Sequence, residues 1–511
     1  MRKSEKTPLP FNQFWNLFSL LVILLSLSHC STRSAFSPSR KYSPAQLQDD
    51  YSLFRKMLEE SHPGLYWYTS RDSMNYYFTR GAAQLQDSMT EPQFRKVLSY
   101  VIAKMDCGHT VVRPSKRYSK YLDTALTKVF PLSLKMWVDT ATVVANLNRR
   151  DSILKRGTVI KQINKKEISV IADTLFKYIS SDGYNTTHKY QTLSNRSGFG
   201  SLYTTVFGLS EKYYIDYLDN SGAQKSVIIP VYNPLADSFA RAGMRRFQKL
   251  NKKERKEMMR QNARSLHIDT IMETAFIDLS SFGKGYGLKR FFKHSFKTIR
   301  HQKIENIVID VRSNGGGNVT NSTILSKYIA SHRFKIADSL YAINRRSPYG
   351  RYIQDYFFNH LFMYFMTRKK EDGHYHFGYF ERHYFQPKKR NHFNGKVYIL
   401  TGGNSFSATT LFIQSLKKQD NVFIVGEETG GGAYGNTAWL IPDATLPNTK
   451  IRFRLPLFRL VIDKNIPKNG HGIQPEIEVR PTVNAIKNGA DFKMDKVMEL
   501  IKADSVRHKP L

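Results

Sequence analysis

The sequence predicts an α/β fold: a mostly parallel β-sheet covered by helices, preceded by a β-rich domain and an N-terminal helical region. Two observations carry this prediction. From residue 274 onward, apolar runs such as "NIVIDV" and "KVYIL" alternate with helical segments, which is typical of a parallel sheet buried on both faces. Between residues 131 and 231 the pattern changes to short β runs such as "TVVANL" and "SVIIPVY", and helical spacing precedes them.

The first 30 residues are typical of an export signal. A basic start is followed by an apolar segment from Phe14 to Ser28, which is short for a membrane span. The segment ends in "LSHC", which is similar to a bacterial lipoprotein box with Cys30 as the lipidated residue. Lipidation at Cys30, plain cleavage and an uncleaved anchor all remain open. Each of them predicts an exported protein, in the periplasm or associated with the outer membrane of a Gram-negative bacterium.

The composition limits the partners of the protein. The 511 residues carry 78 Lys and Arg against 42 Asp and Glu, a formal net charge of +36. Such a surface favours acidic partners, but the basic residues are spread along the chain, so we expect no specific nucleic-acid binding. The two cysteines cannot form a disulfide framework, and Cys107 is predicted to be a buried small hydrophobe.

Changes of pattern predict the domain boundaries. After the signal (1–30) come a Ser-rich tether (31–43), the helical region (44–118), the β-rich domain (125–235), a charged linker helix (236–270) and the core (271–500). An insert at about 334–393 interleaves aromatic and basic residues, which could stack on bases and contact phosphates. The spacing in "YFFNHLFMYF" also fits an amphipathic helix packed over the active-site face, and we favour that interpretation.

Two glycine-bearing loops could carry chemistry. In "VIDVRSNGGGN" three glycines follow a buried strand, and their free N–H groups could bind an anion or a developing oxyanion. The alternative is a tight turn. In "TGGNSFSATT" either Ser405 or Ser407 could be a nucleophile exposed where a strand meets a helix, or a helix cap.

A serine nucleophile needs a base. Lys417 and Lys418 lie about 15 Å along the predicted helix from Ser407, at about 1.5 Å per residue, which is too far. The histidines of short polar turns, His109, His471 and His62, remain candidates. No His, Cys and Glu spacing of the zinc type is present, so we expect neither a metal nor a cofactor.

Several motifs together resemble the tail-specific, or C-terminal processing, serine peptidase family. They are "HPGLYWY", "CGHT", "RGTVIKQIN", "IDVRSNGGGN", "SFSAT", "VGEETGGGA" and "GHGIQPEIEV", in this order over roughly residues 45–480. The chain is most similar to the branch of the tricorn protease core and the interphotoreceptor retinoid-binding protein. The resemblance implies a crotonase-like core and a PDZ-like domain at 125–235.

The resemblance also implies roles for individual residues. Ser407 matches the nucleophile, which makes Ser405 a turn residue, while the backbone N–H groups of Gly316 and Ala408 match the oxyanion hole. His109 matches the base of the tricorn-like members. Gly432 stands where other members carry a catalytic lysine, so a Ser–Lys dyad is excluded.

The acid that orients the histidine is not identified by the resemblance. Asn469 stands where the tricorn-like members have a glutamate, and Glu427, Glu428 and Asp106 are alternatives. The expected function is an exported serine endopeptidase that hydrolyses polypeptides by a Ser–His mechanism and that, where Cys30 is lipidated, contacts a membrane through this anchor. The alternative is a non-catalytic protein on the same fold that binds a peptide or an apolar ligand.

Overall fold

The N-terminal part of the described chain is helical, as its apolar spacing predicts. The computed structural model describes residues 36–507, so the predicted signal and Cys30 lie outside the described residues. The chain divides into two units, 1–40 and 41–511, and every element below belongs to the second. This part contains α1 (Pro44–Ser61), α2 (Arg71–Ala82), α3 (Glu91–Ala103) and α4 (Lys116–Thr124), with β1 (Lys41–Tyr42), β2 (Met89–Thr90) and β3 (Val112–Arg113). Ser43 and Thr90 form capping boxes at the starts of α1 and α3.

A β-rich region follows. Its elements are β4 (Leu132–Trp137), β5 (Thr140–Asn146), β6 (Val159–Ile163), β7 (Lys166–Glu167), α5 (Ile168–Phe176), α6 (Thr186–Ser194), α7 (Gly198–Phe207), β8 (Lys212–Leu218) and β9 (Gln224–Pro230). The strands form an antiparallel sheet in the order β4-β5-β6-β8-β9, and β7 pairs with β6. Alternate residues of β4 are buried, as the period of two in its sequence predicts.

The core begins after two charged helices. In chain order the elements are α8 (Ser238–Lys249), α9 (Lys252–Ala263), β10 (Arg264–Asp269), β11 (Thr274–Leu279), α10 (Leu288–His301), β12 (Asn306–Asp310) and α11 (Val319–Ile329). The insert then adds β13 (Ser339–Ala342), a 3-10 turn (Gly350–Tyr352), α12 (Tyr356–Met366), β14 (Arg368–Lys369), β15 (Tyr375–His376) and α13 (Gly378–Arg382). The domain boundaries given above stay predictions.

The chain then returns to the core. Its last elements are β16 (Lys396–Thr401), α14 (Ala408–Gln414), β17 (Val422–Gly426), β18 (Gly435–Trp439), β19 (Asp443–Thr445), β20 (Arg452–Arg454), β21 (Phe458–Val461), β22 (Ile477–Glu478), α15 (Val483–Asn488) and α16 (Phe492–Arg507). Two smaller sheets, β14-β15-β13-β21-β18 and β19-β20-β3, join the insert and the N-terminal region to the core.

The central sheet has the order β10-β11-β12-β16-β17-β22. Its strands are parallel except for β10, which pairs antiparallel with β11. Helices α10, α11 and α14 bury one face with side chains such as Phe292 and Phe412, and α16 covers the other with Val497 and Ile501. The predicted α/β fold class is confirmed. Among residues 36–507, no helix combines the length and the apolar composition that crossing a bilayer requires.

Candidate active site

Three loops meet at the carboxyl edge of the central sheet. They follow β12, β16 and β17, which are neighbouring parallel strands, so their carboxyl ends lie side by side. The N–H of Phe406 donates to the Asn314 carbonyl at 3.1 Å, and the N–H of Gly431 donates to the Ser405 carbonyl at 3.1 Å. These bonds connect the glycine-rich loops to the serine loop, at the edge where open α/β sheets place their sites.

Ser407 occupies a strained turn between β16 and α14. Its φ is +60° and its ψ is −122°, a region that costs a non-glycine residue on the order of 1–3 kcal/mol. Its hydroxyl makes no capping hydrogen bond to α14, so helix capping does not explain this serine. A strained strand-to-helix turn that presents a serine side chain is typical of a nucleophile elbow.

Ser405 has a different role from Ser407. It is fully buried, its Oγ donates to the Val311 carbonyl at 2.8 Å, and the same oxygen accepts the N–H of Gly402 at 3.2 Å. These bonds tie the turn to the end of β12. Ser405 is therefore a structural turn residue, whereas the Ser407 hydroxyl makes no hydrogen bond within residues 36–507.

Gly316 lies directly against the Ser407 turn. A Cβ added to it would lie 2.6 Å from the Ser407 Cβ and 2.9 Å from the Ala408 nitrogen, and its φ is +93°, so only glycine fits. The Gly316 N–H donates to Asn314 Oδ1 at 2.9 Å. The Ala408 N–H, in contrast, has no partner within residues 36–507. Both predicted oxyanion residues are thus beside Ser407, but only the Ala408 amide is free.

His109 reaches the same place from the turn that follows α3. Its ring stacks on Phe406, with the ring centroids 4.4 Å apart and an interplanar angle of 30°. This approach depends on Gly108, where an added Cβ would lie 2.6 Å from Phe406 Cζ. His109 is only 3% exposed, yet neither ring nitrogen has a hydrogen-bond partner within residues 36–507, Ser407 included. Since buried polar atoms are seldom left unpaired, the open nitrogens mark a candidate functional group.

The carboxylate that faces His109 is Asp182, which sequence reasoning missed. Its Oδ1 lies 3.4 Å from His109 Nδ1, and both side chains are 3% exposed. The carboxylate also accepts the N–H of Gly108 at 2.9 Å and the N–H of Gly432, the position of the missing lysine, at 3.2 Å. These bonds fix its position. Gly108 and Asp182 are 74 residues apart, and the Asp-Gly pair in "SSDGYN" reads as an ordinary polar turn, so sequence spacing could not find it.

His62 is close to His109 but cannot take its place. The Gly64 N–H donates to His62 Nδ1 at 3.1 Å, so Nε2 carries the proton and donates to Thr110 Oγ1 at 2.7 Å. Burial, with a smaller contribution from His109, lowers the pKa of His62 to about 3. This histidine is therefore neutral near pH 7, and both of its nitrogens are already used.

None of the three carboxylates considered from the sequence contacts His109. Their partners are the Thr69 hydroxyl for Asp106 (3.4 Å), the Lys493 amine for Glu427 (2.6 Å) and His471 Nδ1 for Glu428 (3.3 Å). Asn469 accepts the backbone N–H of His471 at 3.1 Å in an exposed turn. The His471 side chain is 47% exposed, and within residues 36–507 its ring has no hydrogen bond or stacking contact with the Ser407 turn.

Cys107, two residues before His109, is a free and buried thiol. Its Sγ lies 3.3 Å from Thr110 Oγ1 and 3.0 Å from Thr437 Oγ1, and burial raises its pKa to about 11. A thiol with so high a pKa is a poor nucleophile at neutral pH. In the described part of the chain, no group of three or more His, Cys, Asp or Glu side chains is arranged to hold a metal ion.

Comparisons with known proteins find a family model that matches the core of the chain. Residues 273–479 match the model described as Peptidase family S41. No curated protein matches the sequence. Among solved structures, mature CPAF is 15% identical with a TM-score of 0.61, covering 90% of this chain and 98% of that chain.

Two further solved structures are similar at lower TM-scores. A putative peptidase from Parabacteroides merdae ATCC 43184 is 14% identical, with a TM-score of 0.43, and the match covers 90% of this chain and 97% of that one. The photosystem II D1 C-terminal processing protease is 11% identical, with a TM-score of 0.40 and coverage of 86% and 97%. The family match confirms the predicted tail-specific peptidase family and the serine-type peptidase class, and the likeness to CPAF supports the fold.

Proposed function

We propose that this chain, which belongs to Peptidase family S41 through residues 273–479, is an exported serine endopeptidase with Ser407 as nucleophile and His109 as general base. One observation carries the proposal: the strained, uncapped Ser407 directly follows Phe406, and the buried His109, whose ring nitrogens make no hydrogen bond within residues 36–507, stacks on the Phe406 ring. Both features cost folding stability. A fold retains such costs mainly where function requires them.

The reaction follows from the positions of these groups. Ser407 Oγ forms a bond to the carbonyl carbon of the scissile peptide while its proton passes to His109 Nε2. Collapse of the tetrahedral intermediate breaks the C–N bond, and the imidazolium gives its proton to the leaving amine. Water then attacks the acyl-enzyme with His109 again as base, which releases the new carboxyl end and restores Ser407.

Asp182 positions His109 for both proton transfers. Its Oδ1 lies 3.4 Å from Nδ1, so the Nδ1 proton would point at the carboxylate and Nε2 would be the atom open to Ser407. The two backbone N–H bonds from Gly108 and Gly432 keep the carboxylate in place while the imidazole turns charged. Asp182 thus takes the role of the acid that orients the histidine, which Asn469 cannot take because it has no carboxylate.

The developing oxyanion is held by the free N–H of Ala408, which follows the nucleophile directly. Gly316 lets the glycine-rich loop approach within contact distance of Ser407. The Gly316 N–H becomes the second donor when it breaks its hydrogen bond to Asn314 Oδ1 and donates to the oxyanion instead. Two such donors are the usual number in an oxyanion hole.

The export part of the proposal is supported by the N-terminal sequence. The apolar segment ends at "LSHC", which favours a lipid anchor at Cys30 and a location in the periplasm or at the outer membrane. Metabolic incorporation of labelled palmitate that Cys30→Ala abolishes would support the anchor. Retention of the label in Cys30→Ala would contradict it.

Labelling by a fluorophosphonate probe and cleavage of unfolded casein test the mechanism. We expect Ser407→Ala to abolish labelling and to lower kcat by about 10⁴-fold or more, and His109→Ala to lower both strongly. Ser405→Ala is the comparison variant: it removes a hydroxyl that ties the same turn to β12 but keeps the nucleophile, so we expect it to slow labelling without abolishing it. Cleavage at the wild-type level in both Ser407→Ala and His109→Ala would exclude the peptidase mechanism.

A second candidate, a non-catalytic binding protein on the same fold, is favoured by one observation. Ser407 and His109 are not hydrogen-bonded to each other in the structure. The peptidase proposal accounts for the same gap in a different way, because catalytic hydrogen bonds often tighten only when substrate binds. Peptide binding that persists in Ser407→Ala, with neither labelling nor cleavage by the wild type, would establish the binding function.

A further inference from the structure

The helix α12 in the insert turns an apolar face to solvent. We call this the aromatic face; it consists of Phe357, Phe358, Leu361, Tyr364 and Phe365, which are 69%, 70%, 43%, 56% and 61% exposed. These positions follow the i, i+1, i+4, i+7, i+8 pattern of a single helix face. The residue spacing predicts a helix packed over the active-site face. The helix exists, but Met363 is its only fully buried side chain.

The helix is anchored from its opposite side, so its exposed face is held in a fixed orientation. Met363 packs into the apolar cluster around Phe458 and Leu460. The Nδ1–H of His360 donates to the Arg345 backbone carbonyl at 3.0 Å. Contiguous exposed apolar surface of this kind marks an interaction site. The aromatic face is thus a formed surface rather than a frayed segment.

Basic residues flank the aromatic face. Residues 345–370 contain one acid, Asp355, and six basic residues: Arg345, Arg346, Arg351, Arg368, Lys369 and Lys370. Within residues 36–507, only Lys370 of these pairs with a carboxylate, that of Glu381 at 2.6 Å. Glu371 and Asp372 follow directly after this stretch, so the surface combines exposed aromatic side chains with a net excess of positive charge.

We propose that α12 and its basic flanks bind the surface of an anionic phospholipid bilayer, with the aromatic face in the interfacial layer. Short amphipathic helices with aromatic residues on one face and Lys or Arg around them lie in this layer. Each Lys or Arg held near an anionic surface favours binding by about fivefold. A second copy of the chain fits less well, because a two-fold interface would bring the basic flanks of both copies together.

This proposal is independent of the peptidase mechanism, since none of its residues contributes to the Ser407 site. It also differs from a lipid anchor, because it locates a second membrane contact more than 300 residues after Cys30.

The test uses the full chain and vesicles of phosphatidylcholine alone or with roughly a third phosphatidylglycerol. The variant Phe365→Trp places an added indole on the aromatic face, and Ile271→Trp places one at a residue that is 95% exposed in the turn between β10 and β11. Vesicles with brominated acyl chains quench only indoles that enter the bilayer. We expect the added Phe365→Trp fluorescence to be quenched by the anionic vesicles, and the added Ile271→Trp fluorescence to be unaffected.

Flotation gives the affinity. The triple variant Phe357→Ser, Phe358→Ser, Phe365→Ser is expected to bind anionic vesicles at least about 10-fold more weakly than wild type, because three apolar side chains no longer enter the interface. Absence of extra quenching in Phe365→Trp would overturn the proposal, whatever the N-terminus contributes. A lipid-free dimer of the wild type that light scattering finds dissociated in the triple variant would instead assign the aromatic face to self-association.

Discussion

Replacing Asp182 with asparagine is expected to lower kcat about 10³-fold. The amide keeps the shape of the side chain but removes a charge 3.4 Å from His109 Nδ1. At an effective dielectric constant of about 20, two unit charges at that distance attract by about 5 kcal/mol. This attraction exists only once the imidazole has taken the serine proton, so its loss raises the barrier. With about 1.4 kcal/mol per factor of ten, and part of the loss recovered by the amide oxygen, the result is about three orders of magnitude.

The same substitution should leave the protein folded at a moderate cost in stability. The carboxylate accepts two buried backbone N–H groups, and asparagine can accept only one of them with its oxygen. The other N–H then faces an NH₂ group, which costs about 1–3 kcal/mol. We therefore expect a folded variant with a modestly lower unfolding temperature and a much lower kcat.

Steady-state cleavage of a fluorogenic peptide, together with the rate of fluorophosphonate labelling, measures the effect. A positioning role predicts that kcat and the labelling rate of Asp182→Asn fall together, while KM stays within about threefold. Asp106→Asn is the matched control, because that carboxyl lies in the same turn as His109 but contacts the Thr69 hydroxyl instead. A folded Asp182→Asn that keeps more than a tenth of the wild-type kcat, or an equal loss in Asp106→Asn, would refute the assigned role.

Two further predictions concern the same loops. Gly316→Ala should lower kcat/KM by about 100-fold or more, because the added Cβ would lie 2.6 Å from the Ser407 Cβ and would displace the proposed nucleophile. Gly315→Ala is the control, because its Cβ would meet nothing within 4 Å, and its kcat/KM should remain near wild type. Equal kcat/KM values for the two variants would contradict this prediction. Burial raises the pKa of Asp106 to about 6. Between about pH 4 and 6 the folded protein therefore keeps a proton on this carboxyl that the unfolded chain has released. The free energy of unfolding should fall by at most about 3 kcal/mol as the pH rises through that window. Asp106→Asn should flatten this slope in urea titrations, and an unchanged slope would show that the carboxyl is not responsible.

The central sheet could be predicted because its strands are buried on both faces. Apolar runs such as residues 306–310 and 396–401 can satisfy that burial only between two layers of helices, and the helical segments between them supply those layers. The insert shows the limit of the same reasoning. The spacing in "YFFNHLFMYF" predicts the helix Tyr356–Met366, but spacing alone does not show whether another element covers the apolar face. In the structure that face is exposed.

The sequence by itself determined the local features of the site: a serine where a strand meets a helix, glycines that permit close approach, and a histidine in a glycine turn. These depend on residue type and on neighbours along the chain. Only the tertiary structure decided which groups meet. It bonds the Ser405 hydroxyl to Val311, engages the Gly316 N–H with Asn314, and brings Asp182 to His109 across more than 70 residues. The reason is physical: a hydrogen bond or ion pair depends on distances of about 3 Å, and the packing of separate elements, rather than spacing in the sequence, sets those distances.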